Sequence, residues 1–157
     1  MRHLTHPAPV VRDLGLLAAR IILGVVLMAH GWQKFSEWGI SGTAANFEKM
    51  GVPAPTLSAL FAAVVEFAGG IALVLGILTP VVALLVVLDM AGAFLFVHAG
   101  NGIFVGKGGW ELVGLIAVGG LALLGGAGRF GLDALINRRT QQTFVPVIED
   151  ERELVNA

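Results

Sequence analysis

Several ionisable residues occur within stretches that are otherwise apolar enough to cross a bilayer: Arg20, His30, Glu66, Asp89, His98 and Glu111. On insertion scales, a charge at the centre of a membrane helix costs about 2.5–3.5 kcal/mol. A helix that keeps such a residue usually turns it toward a partner or a water-filled cavity. The pattern predicts an integral membrane protein with a polar interior, where a functional site should be sought.

Lys34 joins this set because it follows His30 by about one helical turn. Imidazole, amine and carboxylate groups can hydrogen-bond a ligand or pass protons to it. The predicted ligand-binding or proton-relay residues are therefore His30, Lys34, His98, Glu111, Glu66, Arg20 and Asp89. No residue is assigned a catalytic role.

Arg20, Glu66 and Asp89 are expected at the inner and central levels of a helix bundle. Arg20 can form a bidentate pair with either carboxylate. Two interpretations are open: an ion pair that holds the helices together, or a carboxylate that titrates and carries protons.

The remaining candidates are expected together at the outer level, where His98 or Lys34 can pair with Glu111 or form part of a relay. In a regular α-helix, His98 and Asp89 lie about 180° apart. One of them must therefore face away from the bundle axis unless the helix is distorted near Gly92. The histidines and carboxylates come from separate helices without a short ligand spacing, so no metal site is predicted.

The composition places the chain among membrane proteins. Of its 157 residues, 56% are hydrophobic and 13% are charged, whereas soluble domains average about 25% charged. The net charge of −1 gives no basis for nucleic-acid binding. The absence of cysteine excludes disulfides, thiolate metal sites and dithiol redox chemistry.

The predicted fold is all-α, a bundle of four transmembrane helices. The proposed division is a polar tail over 1–12, a membrane domain over 13–135 and a cytoplasmic tail over 136–157, with a short interfacial helix near its start. The expected spans are about 14–34, 57–78, 80–98 and 110–126. A short surface helix ended by Gly51 is expected in the first loop. Basic residues concentrate in the two tails, which predicts cytoplasmic termini in a bacterial cytoplasmic membrane.

Separated segments of the chain, in this order, resemble the DoxX family of small four-helix membrane proteins: ARIILGVVLMAHGWQKF, MGVPAP, EFAGGIALVLGILTP, HAGNGIFVGKGGWEL and GAGRFGLD. The residues that match the family pattern are Arg20, Gly24, His30, Gly31, Lys34, Glu66, Gly69, Gly70, His98, Glu111, Gly128, Arg129 and Asp133. Two positions differ, since the family often has Pro at Ala127 and Ser at Gly131.

The resemblance implies a link to quinone-coupled oxidation, because some family members are subunits of a thiosulfate:quinone oxidoreductase. It favours a redox-associated subunit that binds a quinone or a lipid in the bundle interior. The alternative is a non-catalytic accessory subunit that stabilises a larger membrane complex. The expected partners are membrane lipid and either a larger membrane complex or further copies of the chain. Cysteine-dependent quinone chemistry of its own is excluded by the composition.

Overall fold

The computed structural model describes residues 9–136, and within this range the chain is all-helical, without strands. The predicted tails therefore lie largely outside the described residues, at 1–8 and 137–157. The α-helices are α1 (Pro9–Trp32), α2 (Gly39–Lys49), α3 (Pro55–Leu75), α4 (Thr79–Ala93) and α5 (Glu111–Leu123). Two π-helical turns, Gln33–Glu37 and Phe94–His98, extend α1 and α4, and a 3-10 turn covers Val105–Lys107.

The helices differ in their capacity to cross a membrane. By length and composition, α3 and the continuous helix Thr79–His98 are sufficient for a span, whereas α5 is apolar but has only 13 residues. α1 has 24 residues. It begins at Pro9, so the last residues of the predicted tail belong to the helix instead.

Proline and glycine set the helix boundaries. Proline lies in the first turn of α3 and of α4, where its missing N–H costs nothing. Gly76 ends α3 in the left-handed region, with φ 71°. Gly51, with φ 76°, follows α2, which is the predicted surface helix and is longer than expected.

The long helices pack as two pairs, α1 on α3 and α4 on α5. A Cβ atom on Gly24 of α1 would lie 2.6 Å from the carbonyl oxygen of Gly70 on α3. A Cβ atom on Gly120 of α5 would lie 2.9 Å from Val87 Cγ2 on α4. Glycine at these positions lets the backbones approach closely, as is usual for helices packed in a membrane.

The two ends of this bundle hold different structures. The terminal end comprises the start of α1, the turn between α3 and α4, and residues 124–136. The loop end comprises α2, the two π turns and residues 99–110. Between them lies an apolar core whose largest fully buried members are Leu27, Leu73, Val86 and Leu123.

Candidate functional site

A cavity of about 500 Å³ lies at the loop end and is lined by side chains from α1, α2, α3, α4 and α5. This volume is within the range of small-molecule sites, about 300–1,000 Å³. Its lining is mostly apolar. The exceptions are His30, Lys34, Thr43, Asn46, Ser58, Glu66, Asp89 and His98. Within residues 9–136, no group of three His, Asp or Glu side chains could hold a metal ion.

A buried ion pair forms one wall of the cavity. Lys34 Nζ lies 2.5 Å from Glu66 Oε2, with the two side chains 12% and 8% exposed. Lys34 belongs to the π turn that extends α1. One turn earlier, Gly31 packs directly against Phe67, since a Cβ atom there would lie 2.8 Å from Phe67 Cα. This close approach of α1 to α3 brings the amine of Lys34 within reach of Glu66.

Asp89 contributes a carboxylate from the other helix pair. The residue is 9% exposed, and its Oδ2 atom has no hydrogen-bond partner among the described residues. The charges of Glu66 and Lys34 act on it. A buried polar atom without a partner costs about 1–3 kcal/mol. A ligand that shares a hydrogen bond with Asp89 would recover part of that cost.

His30 and His98 also line the cavity. His98 Nδ1 lies 2.6 Å from the carbonyl oxygen of Gly108 and must donate to it, because a carbonyl can only accept. His98 and Asp89 reach the same cavity because the helix is π-helical over Phe94–His98, immediately after Gly92 and Ala93. A π turn takes up an additional residue. The distortion near Gly92 that would let both residues face the bundle interior is therefore present.

Glu111 lies outside the cavity lining. Its Oε1 atom accepts a hydrogen bond of 2.6 Å from the backbone N–H of Val105. The predicted pairing of His98 or Lys34 with Glu111 is wrong. Glu111 instead orders the loop before α5, while Lys34 reaches the nearer Glu66.

Arg20 is also absent from the cavity, and its predicted pairing with Glu66 or Asp89 is wrong. It is fully buried at the terminal end, where Nη2 donates to the carbonyl oxygen of Phe130 at 3.4 Å. The reason is helix register. Gly24 of α1 faces Gly70 of α3. Arg20, one turn before Gly24, therefore lies beside the end of α3, much nearer to the terminal end than Glu66 is.

The terminal end holds interactions that the sequence reasoning missed. Asp133 accepts hydrogen bonds from the backbone N–H groups of Leu78 (2.9 Å) and Thr79 (3.1 Å) and thereby caps α4. Asp13 is buried and forms an ion pair of 3.5 Å with Arg129. Two features of the sequence could have indicated these interactions. One is Asp13, an aspartate at the start of the first apolar run, and the other is the charged segment GAGRFGLD, whose Arg129 and Asp133 need partners.

The part of the cavity wall that α2 supplies was also not predicted from the sequence. Thr43, Asn46 and Phe47 of this helix line the cavity, as does Met50 directly after it. Thr43 is buried and donates a hydrogen bond of 3.0 Å to the carbonyl oxygen of Gly39. Thr43 and Ala44 are buried, whereas the other residues of α2 are exposed or half-buried, so this side of α2 covers part of the bundle.

Comparison with known proteins identifies the chain's relatives. It is 33% identical over 137 residues to the inner membrane protein YqjF of Escherichia coli, covering 82% of this chain and 97% of the relative. It is 32% identical to the uncharacterized membrane protein Rv3486 of Mycobacterium tuberculosis, covering 79% and 82%. It is 31% identical to a Bacillus subtilis protein named "Putative oxidoreductase CatD", covering 72% and 81%.

No solved structure matches the chain. The sequence model of the DoxX family matches residues 15–99, which run from the second turn of α1 to just past the second π turn. This match, together with the two relatives that are named membrane proteins, confirms the resemblance to the DoxX family. The chain is a membrane protein of the DoxX family.

Proposed function

We propose that this protein is a subunit of a redox-linked membrane complex and binds the ring of a quinone or a similar amphipathic lipid in its cavity. The observation that carries the proposal is the unpartnered Oδ2 of Asp89 in a mainly apolar cavity of about 500 Å³. An apolar cavity of ~150 Å³ already holds a benzene ring. The space here is sufficient for a substituted ring and the first part of a tail.

The arrangement of the lining supports this ligand class. A quinone or quinol has an apolar ring with oxygen atoms at its edge, and it gains or loses protons when its redox state changes. The Lys34–Glu66 pair and Asp89 lie where such oxygens can be hydrogen-bonded. His30 and His98 are further groups able to exchange protons. Electrons would come from a partner protein, as the chain has no cysteine for a dithiol centre.

The proposed topology has four spans, with α1 and α5 crossing beside α3 and Thr79–His98. At 1.5 Å per residue, α1 is about 36 Å long, more than a typical hydrocarbon core of ~30 Å. Trp32, Trp38 and Trp110 all lie at the loop end and are partly exposed, as in an aromatic interfacial belt. The basic tails favour the terminal end on the cytoplasmic side.

Among the relatives, CatD carries the name of an oxidoreductase, which supports a redox setting. The alternative function is a non-catalytic accessory subunit that stabilises a larger membrane complex. Under that alternative the buried charges serve only the fold, and the cavity needs no ring-bearing ligand.

The test is binding of a short-tailed benzoquinol and its quinone to purified protein in nanodiscs. Trp38 lines the cavity, so quenching of its fluorescence reports occupancy when Trp32 and Trp110 are replaced by Phe. We expect saturable binding that Asp89→Asn weakens about tenfold, the equivalent of roughly 1.4 kcal/mol.

Asp133→Asn is the matched control, because it removes a carboxylate charge at the terminal end, away from the cavity. Its affinity should stay within twofold of the parent protein. No saturable binding, or equal weakening by both substitutions, would overturn the proposal. Loss of a larger complex on deletion of the protein, without ring binding, would favour the accessory function.

A further inference from the structure

We propose that the ligand enters the cavity sideways from the bilayer, through an opening between α3 and α4. The inference rests on the proposed function and narrows its substrate class to membrane-dissolved molecules with an apolar tail. The opening is lined by Phe61 of α3, Leu88 of α4 and Phe96 of the second π turn, and we call it the lateral opening.

Two other seams between long helices are closely packed where glycine lies in them. Along the α1–α3 seam, a Cβ atom on Gly31 would lie 2.8 Å from Phe67 Cα. Along the α4–α5 seam, Gly120 packs with comparable closeness on Val87. At these two levels there is no path for a ring between the backbones of either pair.

The α3–α4 seam changes along its length. Toward the terminal end it is closed, since a Cβ atom on Gly69 would lie 3.2 Å from Val82 Cγ1. Toward the loop end, Phe61, Leu88 and Phe96 are 40%, 55% and 43% exposed, yet each also lines the cavity. Because exposed lining residues lie on both facing helices at this level, we place the opening between α3 and α4.

The chemistry of the rim favours lipid over water. Apart from Asn46, the exposed residues that line the cavity are apolar or aromatic: Trp38, Met50, Pro53, Phe61, Leu88, Phe96 and Val105. A rim of this kind facing water would leave a large apolar area exposed. Facing acyl chains, it has no such cost. α2 meanwhile supplies the cavity wall nearest the loops.

The position of Asp89 fits this route. Asp89 lines the same cavity as Leu88, Phe61 and Phe96, so a molecule that enters through the lateral opening reaches the space beside this carboxylate, whose Oδ2 is unpartnered among the described residues. A ligand would place its polar head on Asp89 and its tail back through the lateral opening into the bilayer. Binding should therefore strengthen when a tail is added to a given ring.

The first experiment does not need a ligand. The chain has no cysteine, so Ala93→Cys, in the cavity lining, can carry a single spin label in nanodiscs. We expect molecular oxygen, which concentrates in the bilayer, to relax this label strongly. A water-soluble nickel chelate should have at least fivefold less effect on it than on a label at Lys107→Cys, in an exposed loop.

Leu115→Cys gives the membrane reference, since Leu115 is 71% exposed on α5. A label at Ala93 that responds to nickel as strongly as the label at Lys107 would place the opening toward water. A label that responds to neither reagent would show that the cavity is closed to the bilayer. Either result overturns the inference, whatever the ligand.

The second experiment measures rates. Leu88→Trp narrows the lateral opening, and it should slow both association and dissociation of a decyl-tailed benzoquinol at least fivefold. Leu84→Trp, at an exposed position one turn earlier that does not line the cavity, should leave both rates unchanged. Unchanged rates in Leu88→Trp would overturn the route while leaving the binding site intact. Absence of any binding in the parent protein would overturn the proposed function instead.

Discussion

The loop end and the terminal end both bury a cation and carboxylates, but they use them differently. At the loop end, the Lys34–Glu66 pair and Asp89 border a cavity of about 500 Å³. At the terminal end, the Arg20 guanidinium lies against Gly76 and Gly131, with no room for a methyl group on either glycine. The loop end thus has an open cavity beside its charges, whereas the terminal end has backbone packed against them.

Unpartnered polar atoms alone do not separate the two ends. Arg20 Nε and Nη1 lack hydrogen-bond partners among the described residues, as Asp89 Oδ2 does. The difference is that a Cβ atom on Gly131 would lie 2.7 Å from Arg20 Nη1, so a ligand has no access there. A buried charge suggests a site only when the packing around it leaves volume.

The largest effect is expected from breaking the buried ion pair at the loop end. Lys34→Met or Glu66→Gln alone should lower the free energy of unfolding by about 3–5 kcal/mol, because each leaves a buried charge without its partner. The double substitution should cost less than the sum of the two. Equilibrium unfolding in mixed micelles measures this, and strictly additive effects would contradict the pairing.

The next effect concerns the packing of the terminal end. Gly76→Ala should cost about 2–3 kcal/mol, since it combines a left-handed backbone with overlap of the new Cβ and the Arg20 guanidinium. Gly125→Ala is the control, because no atom lies within 4 Å of a Cβ there. The same unfolding measurement applies. Equal stability of the two variants would mean that Arg20 is not confined as described.

A smaller effect is expected from the cap that Asp133 places on α4. Asp133→Ala should cost about 1–2 kcal/mol, because the N–H groups of Leu78 and Thr79 lose their acceptor. Asp133→Asn keeps one acceptor oxygen and should lie between the parent and the alanine variant. Thermal unfolding in detergent gives the order. An asparagine variant less stable than the alanine variant would argue against capping.

The smallest effect on stability is expected at Asp89. Asp89→Asn should change the free energy of unfolding of the ligand-free protein by less than about 0.5 kcal/mol, or raise it, since the carboxylate has an oxygen without a partner. Sites shaped for ligands are commonly not optimal for stability. A loss as large as that of Glu66→Gln would assign Asp89 a structural role and remove the contrast between the two ends.

The sequence was sufficient to predict a helical membrane protein with inward charges, and the candidates His30, Lys34, Glu66, Asp89 and His98 do line one cavity. This part could be predicted because a charge inside a long apolar run is costly in lipid, and both the run and the charge can be read from the sequence. The functional roles of these residues remain predictions.

The partners of the buried charges could not be predicted from the sequence in the same way. Arg20 and Glu66 were expected at neighbouring levels, inner and central, because each lies well inside its own apolar run and no local feature of the sequence fixes the register of α1 against α3. The structure sets that register through Gly24 and Gly31, which face Gly70 and Phe67. Spacing of small residues on the two helices was the signal that could have separated Arg20 from Glu66. The cap by Asp133 depends on a contact between segments 54 residues apart.

The π turn at Phe94–His98 divides the helix that begins at Thr79 into two parts. The whole helix, Thr79–His98, sets the thickness of membrane that it can cross. The π turn sets the direction in which His98 points, because its backbone repeat differs from that of α4. Removal of a single residue from this turn would rotate the imidazole away from the side of the helix that carries Asp89, and it would shorten the helix by only about 1.5 Å. The chemistry of the loop end can thus change through one-residue length changes that alter the fit to the bilayer very little.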